Sequence, residues 1–232
     1  MSIGVQKRQY KGQEGGVIDI QINAKEQIAV LEKMLGDLKG KAPGTMRNAI
    51  NATARKMRTR LSQQAKKTYV TKEYDYKNEI EIRKASVSTL TAKLHASGER
   101  TALSKHKVSP ERLAHGKGRP KQYKAKVLKQ SKLEVMRDGD LKSFLVRFKS
   151  GHLALVQRHP SEEYEDPSER IKKYGMGADI SRIVEKRTLS VAEMIGSPKV
   201  YGVVEPEMGG LLHEEMERFV ASTIRREAAR RK

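Results

Sequence analysis

Within residues 24–39 the apolar side chains Ile28, Leu31, Leu35 and Leu38 recur three and four positions apart. That is the spacing of one face of an amphipathic helix, and Gly40 with Pro43 closes it. A second helix is predicted from Thr45, whose hydroxyl suits an N-cap, to about residue 67. Met46, Ile50, Ala54, Met57, Leu61 and Ala65 form its buried stripe. The two helices, joined by residues 40–44, read as a helical hairpin. Beyond them the period changes to two. Residues 79–83 alternate, and in residues 89–96 Leu90, Ala92, Leu94 and Ala96 face one way with mostly polar groups opposite. Such alternation predicts antiparallel strands with one buried face, joined here through residues 84–88. Further strands are predicted at residues 123–129, 133–136, 143–149 and 152–157. The last two flank the turn dipeptide Ser150-Gly151 and are expected to pair. A helical turn at residues 190–195 and a helix over residues 206–230 complete the pattern. Leu212, Met216, Phe219, Val220 and Ile224 share one face of that last helix.

The fold class this predicts is α+β: an antiparallel sheet of about four strands against a helical hairpin and a C-terminal helix. Residues 1–23 read as an N-terminal arm, Gly-rich and ending in an alternating run at residues 17–22 that suits addition to a sheet edge. Residues 24–232 read as one domain. Two polar stretches interrupt it, at about residues 98–122 (basic) and 159–180 (acidic at its start), and a connection of that length is usually functional.

Charge changes the picture more than composition does. Lys and Arg number 48 against 28 Asp and Glu, a net charge of +20, which draws the chain towards phosphate backbones, acidic surfaces or anionic lipid. The excess is uneven. Arg47, Arg55, Lys56, Arg58, Arg60, Lys66, Lys67 and Lys72 occupy residues 42–72 without one acidic residue. Like charges at helical spacing repel, so either a polyanion favours them or carboxylates from the first helix or a neighbouring subunit neutralise them. Residues 99–132 are also basic, with acids only at Glu99 and Glu111, and the chain ends on Arg225, Arg226, Arg230, Arg231 and Lys232.

Candidate chemistry is sparse. With no Cys there is no disulfide, thiolate nucleophile or thiolate-bound metal, as expected of folding in a reducing cytoplasm. No apolar run suits a signal peptide or approaches the roughly 20 residues of a membrane span, so a soluble protein is predicted. The histidines are scattered; His213-Glu214-Glu215 has no second His one turn on, and no metal or other cofactor is expected. Residues 149–152 (Lys149, Ser150, Gly151, His152) fit a hairpin turn better than a Ser–His pair, and the glycines at 116–118 and 175–177 lack the rest of a phosphate loop. Aromatic residues are only 5% and do not interleave the basic stretches, which argues against base stacking and leaves contact by charge. The residue types point away from an enzyme.

Two segments resemble the minor tail protein Z family of long-tailed bacteriophages. Residues 82–94 carry a basic strand, Ala85-Ser86 and then Leu90-Thr91-Ala92 in the returning strand, with Ser97-Gly98 after it. Residues 144–158 carry an apolar strand, the turn Ser150-Gly151-His152 and a strand ending in Arg158. The basic segment 123–129 and the Arg-rich final helix follow the same order. The likeness spans roughly residues 24–231 with gaps, and the acidic stretch 159–173 is longer than the family's usual one. The resemblance implies a structural protein of the virion tail or neck, assembled in the host bacterial cytoplasm, that completes the tail and joins it to the head. It implies a homo-oligomeric ring, sixfold by the usual neck symmetry. Expected partners are the tail terminator or tail tube protein and the head–tail connector, with the tape measure protein and genomic DNA met through charge. No membrane is involved. The contact residues expected are Arg55, Arg58 and Arg60 on the second helix, Lys117, Arg119 and Lys121 in the basic loop, and Arg225, Arg226 and Arg230 in the tail. The alternative is a non-enzymatic basic DNA-binding protein of a mobile element.

Overall fold

A computed structural model describes residues 2–9, 15–72, 75–114, 118–138, 141–163, 166, 168–177 and 180–231. Its elements in chain order are β1 (Ser2–Gln9), β2 (Gly15–Asn23), α1 (Ile28–Leu35), α2 (Ala42–Thr68), β3 (Glu81–Arg83), β4 (Thr91–Glu99), β5 (Lys107–Ser109) and β6 (Lys124–Lys126). There follow β7 (Glu134–Val135), β8 (Arg137–Asp138), β9 (Leu141–Arg147), β10 (Leu153–Glu163), α3 (Ser168–Tyr174), β11 (Ser181–Glu185), α4 (Val191–Ile195), α5 (Tyr201–Val204) and α6 (Glu207–Arg230). The class is α+β, as the periodicities predict.

The chain divides into two compact units where one domain was expected. The first comprises Met1–Thr68, Asp75–Arg100 and Leu189–Lys232; the second comprises Tyr69–Tyr74 and Thr101–Thr188. Strands read as continuing one sheet, together with the two stretches read as insertions, therefore form a second body with its own core.

In the first unit an antiparallel sheet has the order β1-β2-β4-β3. Ile18, Ile20 and Ile22 of β2 and Ala92, Leu94 and Ala96 of β4 lie on one face, fully or almost fully buried. Against it packs α2, whose stripe Met46, Ile50, Ala54, Met57, Leu61 and Ala65 is excluded from solvent. The described part of the expected arm is built into the sheet: β2 pairs along its whole length with β4, and β1 pairs with β2. Burial of three isoleucines drives this integration. Helix α2 starts ahead of Thr45, because Pro43 needs no amide hydrogen in a first turn. Thr45 Oγ1 instead donates to the Lys41 carbonyl at 2.9 Å. Ser190 caps α4 reciprocally with Glu193. Gly16 lets α4 approach β2, since a Cβ there would sit 2.8 Å from Glu193 Cγ.

The second unit holds a sheet of order β11-β10-β9-β8 and a small sheet β5-β6-β7. Leu103, Val108, Tyr123, Leu145 and Leu155 form its core. The expected β9–β10 hairpin is present, with Arg147 opposite Leu153 and Gly151 at φ +84° in its turn, a conformation that favours glycine. The acidic stretch is partly regular: β10 runs through to Glu163, α3 follows, and β11 returns to pair with β10.

Candidate interaction surface

Helix α6 runs antiparallel to α2 along one side, and this decides what the basic residues of α2 do. Lys56 Nζ lies 2.8 Å from buried Glu215 and 3.4 Å from Glu214. Arg60 Nε lies 3.6 Å from Glu207, and Lys41 Nζ lies 3.7 Å from Glu227 at the other end of the seam. Lys66 meets Asp75 at 3.7 Å; in the second unit Lys72 meets Glu111 at 2.8 Å. The acid-free run is thus neutralised along one side, chiefly by carboxylates of the C-terminal helix, over 130 residues away in sequence. The first helix, also considered as a source, supplies none of these pairs.

A second row of cations on α2 is different, although α6 also reaches it through Phe219. Arg47, Asn51, Arg55 and Arg58 are spaced four, four and three apart and so form one row on the helix. Among the described residues Arg47 donates to Asn48 Oδ1, at 2.9 and 3.2 Å. No ion pair reaches Arg55 or Arg58 among the described residues, and Arg58 Nε is buried without a hydrogen-bond partner. Beside this row the connection after β3 is fixed to the helix by two hydrogen bonds. Asn51 Nδ2 donates to the Ala85 carbonyl at 3.1 Å, and the Ala85 amide donates to Asn51 Oδ1 at 2.8 Å. This places exposed Lys84 next to Arg55. A groove of about 540 Å³ results, lined by Arg47, Arg55, Lys84, Asn48, Asn51 and Phe219, with Ala85 at its edge and no carboxylate in its wall.

The remaining expected contact residues do not converge there. Arg225 and Arg226 are exposed on the last turns of α6, while Arg230 is paired with Glu227 at 3.0 Å. In the second unit the Arg119 guanidinium stacks 4.7 Å from the centre of the Phe144 ring, so its charge is held against an aromatic face. Lys121 is exposed, and Lys117 lies outside the described residues. Arg47, Lys84 and Phe219 were not among the expected contacts. Lys84 carried a signal only in hindsight, as the cation ahead of a residue whose backbone an asparagine holds 34 positions earlier.

Nothing else among the described residues gathers reactive groups. His95 Nδ1 lies 2.7 Å from buried Asp19, with Lys93 Nζ at 3.6 Å. These are cross-strand neighbours on β2 and β4, and no described nucleophile is hydrogen-bonded to the imidazole. No cluster of three His, Asp or Glu suited to a metal occurs among the described residues. A wider concavity of about 710 Å³ beside β2 and α4 is lined by Lys7 and Arg100, and Lys7 Nζ donates to the Gly196 carbonyl at 2.6 Å. No described helix is long and apolar enough to cross a membrane.

Comparison with protein-family models, curated proteins and solved structures finds no match to this chain. The site therefore rests on its own geometry. What that geometry offers is a row of guanidinium and ammonium donors around a shallow concavity, suited to holding anionic oxygen atoms by charge-assisted hydrogen bonds.

Proposed function

We propose that the chain is a structural, non-enzymatic component of a long-tailed bacteriophage, acting at the head-proximal end of the tail to complete it and join it to the head. The observation that carries the reading is the pair of segments resembling minor tail protein Z, residues 82–94 and 144–158, each forming a complete antiparallel hairpin: β3 with β4, and β9 with β10. A motif that spans a whole supersecondary unit constrains more than scattered identities would. The two larger sheets, with edge strands β1 and β11, suit contacts between identical subunits. The proposed partners are further copies in a ring, probed first as a hexamer, the tail terminator or tube protein and the connector. The proposed location is the virion neck.

The purified protein tests this by its mass in solution, measured by analytical ultracentrifugation with and without isolated tails. A discrete ring-sized species, or stoichiometric capture by the tail end, supports the assembly role. A monomer that ignores tails and coats duplex DNA supports the alternative, a basic DNA-binding protein of a mobile element.

A further inference from the structure

We infer that the groove between α2 and the loop after β3, lined by Arg47, Arg55 and Lys84, is a docking surface for a nucleic-acid phosphate backbone. Arg60, Lys56 and Arg230 lie outside it. The separation follows from the charges around each cation. On the α6 side of α2, Lys56, Arg60 and Lys41 each have a carboxylate within 4 Å, so their charge holds two helices together and is largely spent. Along the second row Arg47, Arg55 and Lys84 line a groove with no carboxylate in its wall, and Arg55 also borders a concavity that holds Glu214. Three like charges so placed repel one another, and no ion pair among the described residues compensates them. An anion from outside does.

A phosphate backbone fits better than an acidic protein surface for two reasons. The row from Arg47 to Arg55 covers about eight helical steps, roughly 12 Å at 1.5 Å each. A duplex strand winds past such a row while carrying one phosphate for about every 3.4 Å of axis, so roughly two or three charges of uniform sign face it. The second reason is the groove's chemistry. Its donors are charged heads and its one aromatic, Phe219, is half-buried with the Arg218 guanidinium 4.5 Å from its ring centre, which leaves no open ring face for stacking a base. Contact is therefore to the backbone and blind to sequence. A tail protein and a free nucleic-acid binder can each use such a groove, so the outcome for the tail role leaves it unaffected.

The test is fluorescence anisotropy of the full-length protein with labelled duplex DNA of arbitrary sequence, over about 50–200 mM salt. Arg55→Ala with Lys84→Ala removes two contacts, and the plot of log affinity against log salt becomes shallower by about two, whatever the sequence. Arg60→Ala with Arg230→Ala also removes two cations, yet leaves the slope unchanged. Arg55→Lys keeps a point charge at the groove and keeps the slope. These positions are exposed, and an unchanged melting temperature verifies each fold. Equal losses from the two double variants would mean a diffuse field and would overturn the assignment, as would binding indifferent to Arg55→Ala with Lys84→Ala. Polyglutamate is the third arm. If it binds as tightly as DNA and loses as much in the groove variant, the groove belongs to an acidic protein and the phosphate assignment fails.

Discussion

Lys56 of α2 and Glu215 of α6 form an ion pair of 2.8 Å in which the carboxylate is almost fully buried and the ammonium half-exposed. Arg218, one turn on in α6, closes on the same carboxylate. Burial alone would raise the Glu215 pKa, but hydrogen bonds from Lys56 and Arg218 outweigh it and hold the carboxyl below its usual range. The Lys56 ammonium is correspondingly raised by Glu215. A lone acid at a core position of a helix thereby becomes the clasp of the α2–α6 pair.

Glu215→Gln keeps the shape and removes the charge, and should lower stability by about 2 kcal/mol, the scale of hydrogen bonds to a charged group. The sign with pH follows from the depressed carboxyl. Its contribution is fully present above the unfolded carboxylate range and is lost as pH falls through the lower folded value. Urea denaturation at neutral and acid pH checks both. Wild type and Glu215→Gln should differ at neutral pH and converge in acid.

His106, wholly buried in the second unit, behaves in the opposite chemical sense. Burial lowers its pKa against a raising contribution from the Val70 carbonyl, 2.7 Å from Nδ1. Nδ1–H donates to that carbonyl, so Nε2 accepts from the Thr101 hydroxyl at 3.2 Å. The neutral ring is preferred in the fold, so stability is intact above the ordinary histidine value of about 6.5 and declines as the unfolded state takes up a proton below it. Amide protection factors of the second unit, corrected for the intrinsic exchange rate at each pH, should therefore fall below that pH before Glu215 begins to titrate. His106→Gln should abolish this step while lowering stability throughout.

Gly16→Ala tests the seat of α4 on β2. The added methyl would meet Glu193 Cγ at 2.8 Å and Ser190 Oγ at 3.3 Å, the two groups of the capping box. The glutamate must leave the cap or the helix must shift. Overpacking of this kind typically costs about 1–3 kcal/mol, read as a lower thermal midpoint. Gly210→Ala, with open space around it on α6, should be neutral or mildly stabilising, consistent with the helix propensity of alanine.

Asn51 holds the loop after β3 by both of its amide hydrogen bonds, and buried Ala85 has no other partner for its amide among the described residues. Asn51→Ala should cost about 1–3 kcal/mol for leaving that group unsatisfied. It should also release Lys84 from the groove, so DNA affinity at low salt should fall together with the melting temperature.

The elements that were legible in sequence are those whose burial is local. The stripe from Met46 to Ala65 is helical in period and wholly buried, and Ser150-Gly151 announces the β9–β10 turn. The alternating run at residues 17–22 marks a strand, but its place inside the sheet, between β1 and β4, is not legible because β4 lies some seventy residues away. Residues 181–185 were missed because they sit beyond a polar stretch that masks a five-residue strand. The division into two units was hidden for a related reason: the second unit is assembled from short strands that each bury few side chains. The basic surface was half legible. Arg55 and Arg58 could be singled out from an acid-free helix, but nothing local distinguishes them from Arg60. Only the packing of α6 decides which cations meet Glu207, Glu214 and Glu215.

The tail role is tested most directly by deleting the gene from its parent phage or prophage and imaging the lysate by electron microscopy. Filled heads beside tails of normal length, unjoined or joined but non-infectious, are the predicted outcome. Normal, infectious particles in the absence of the protein would contradict the account.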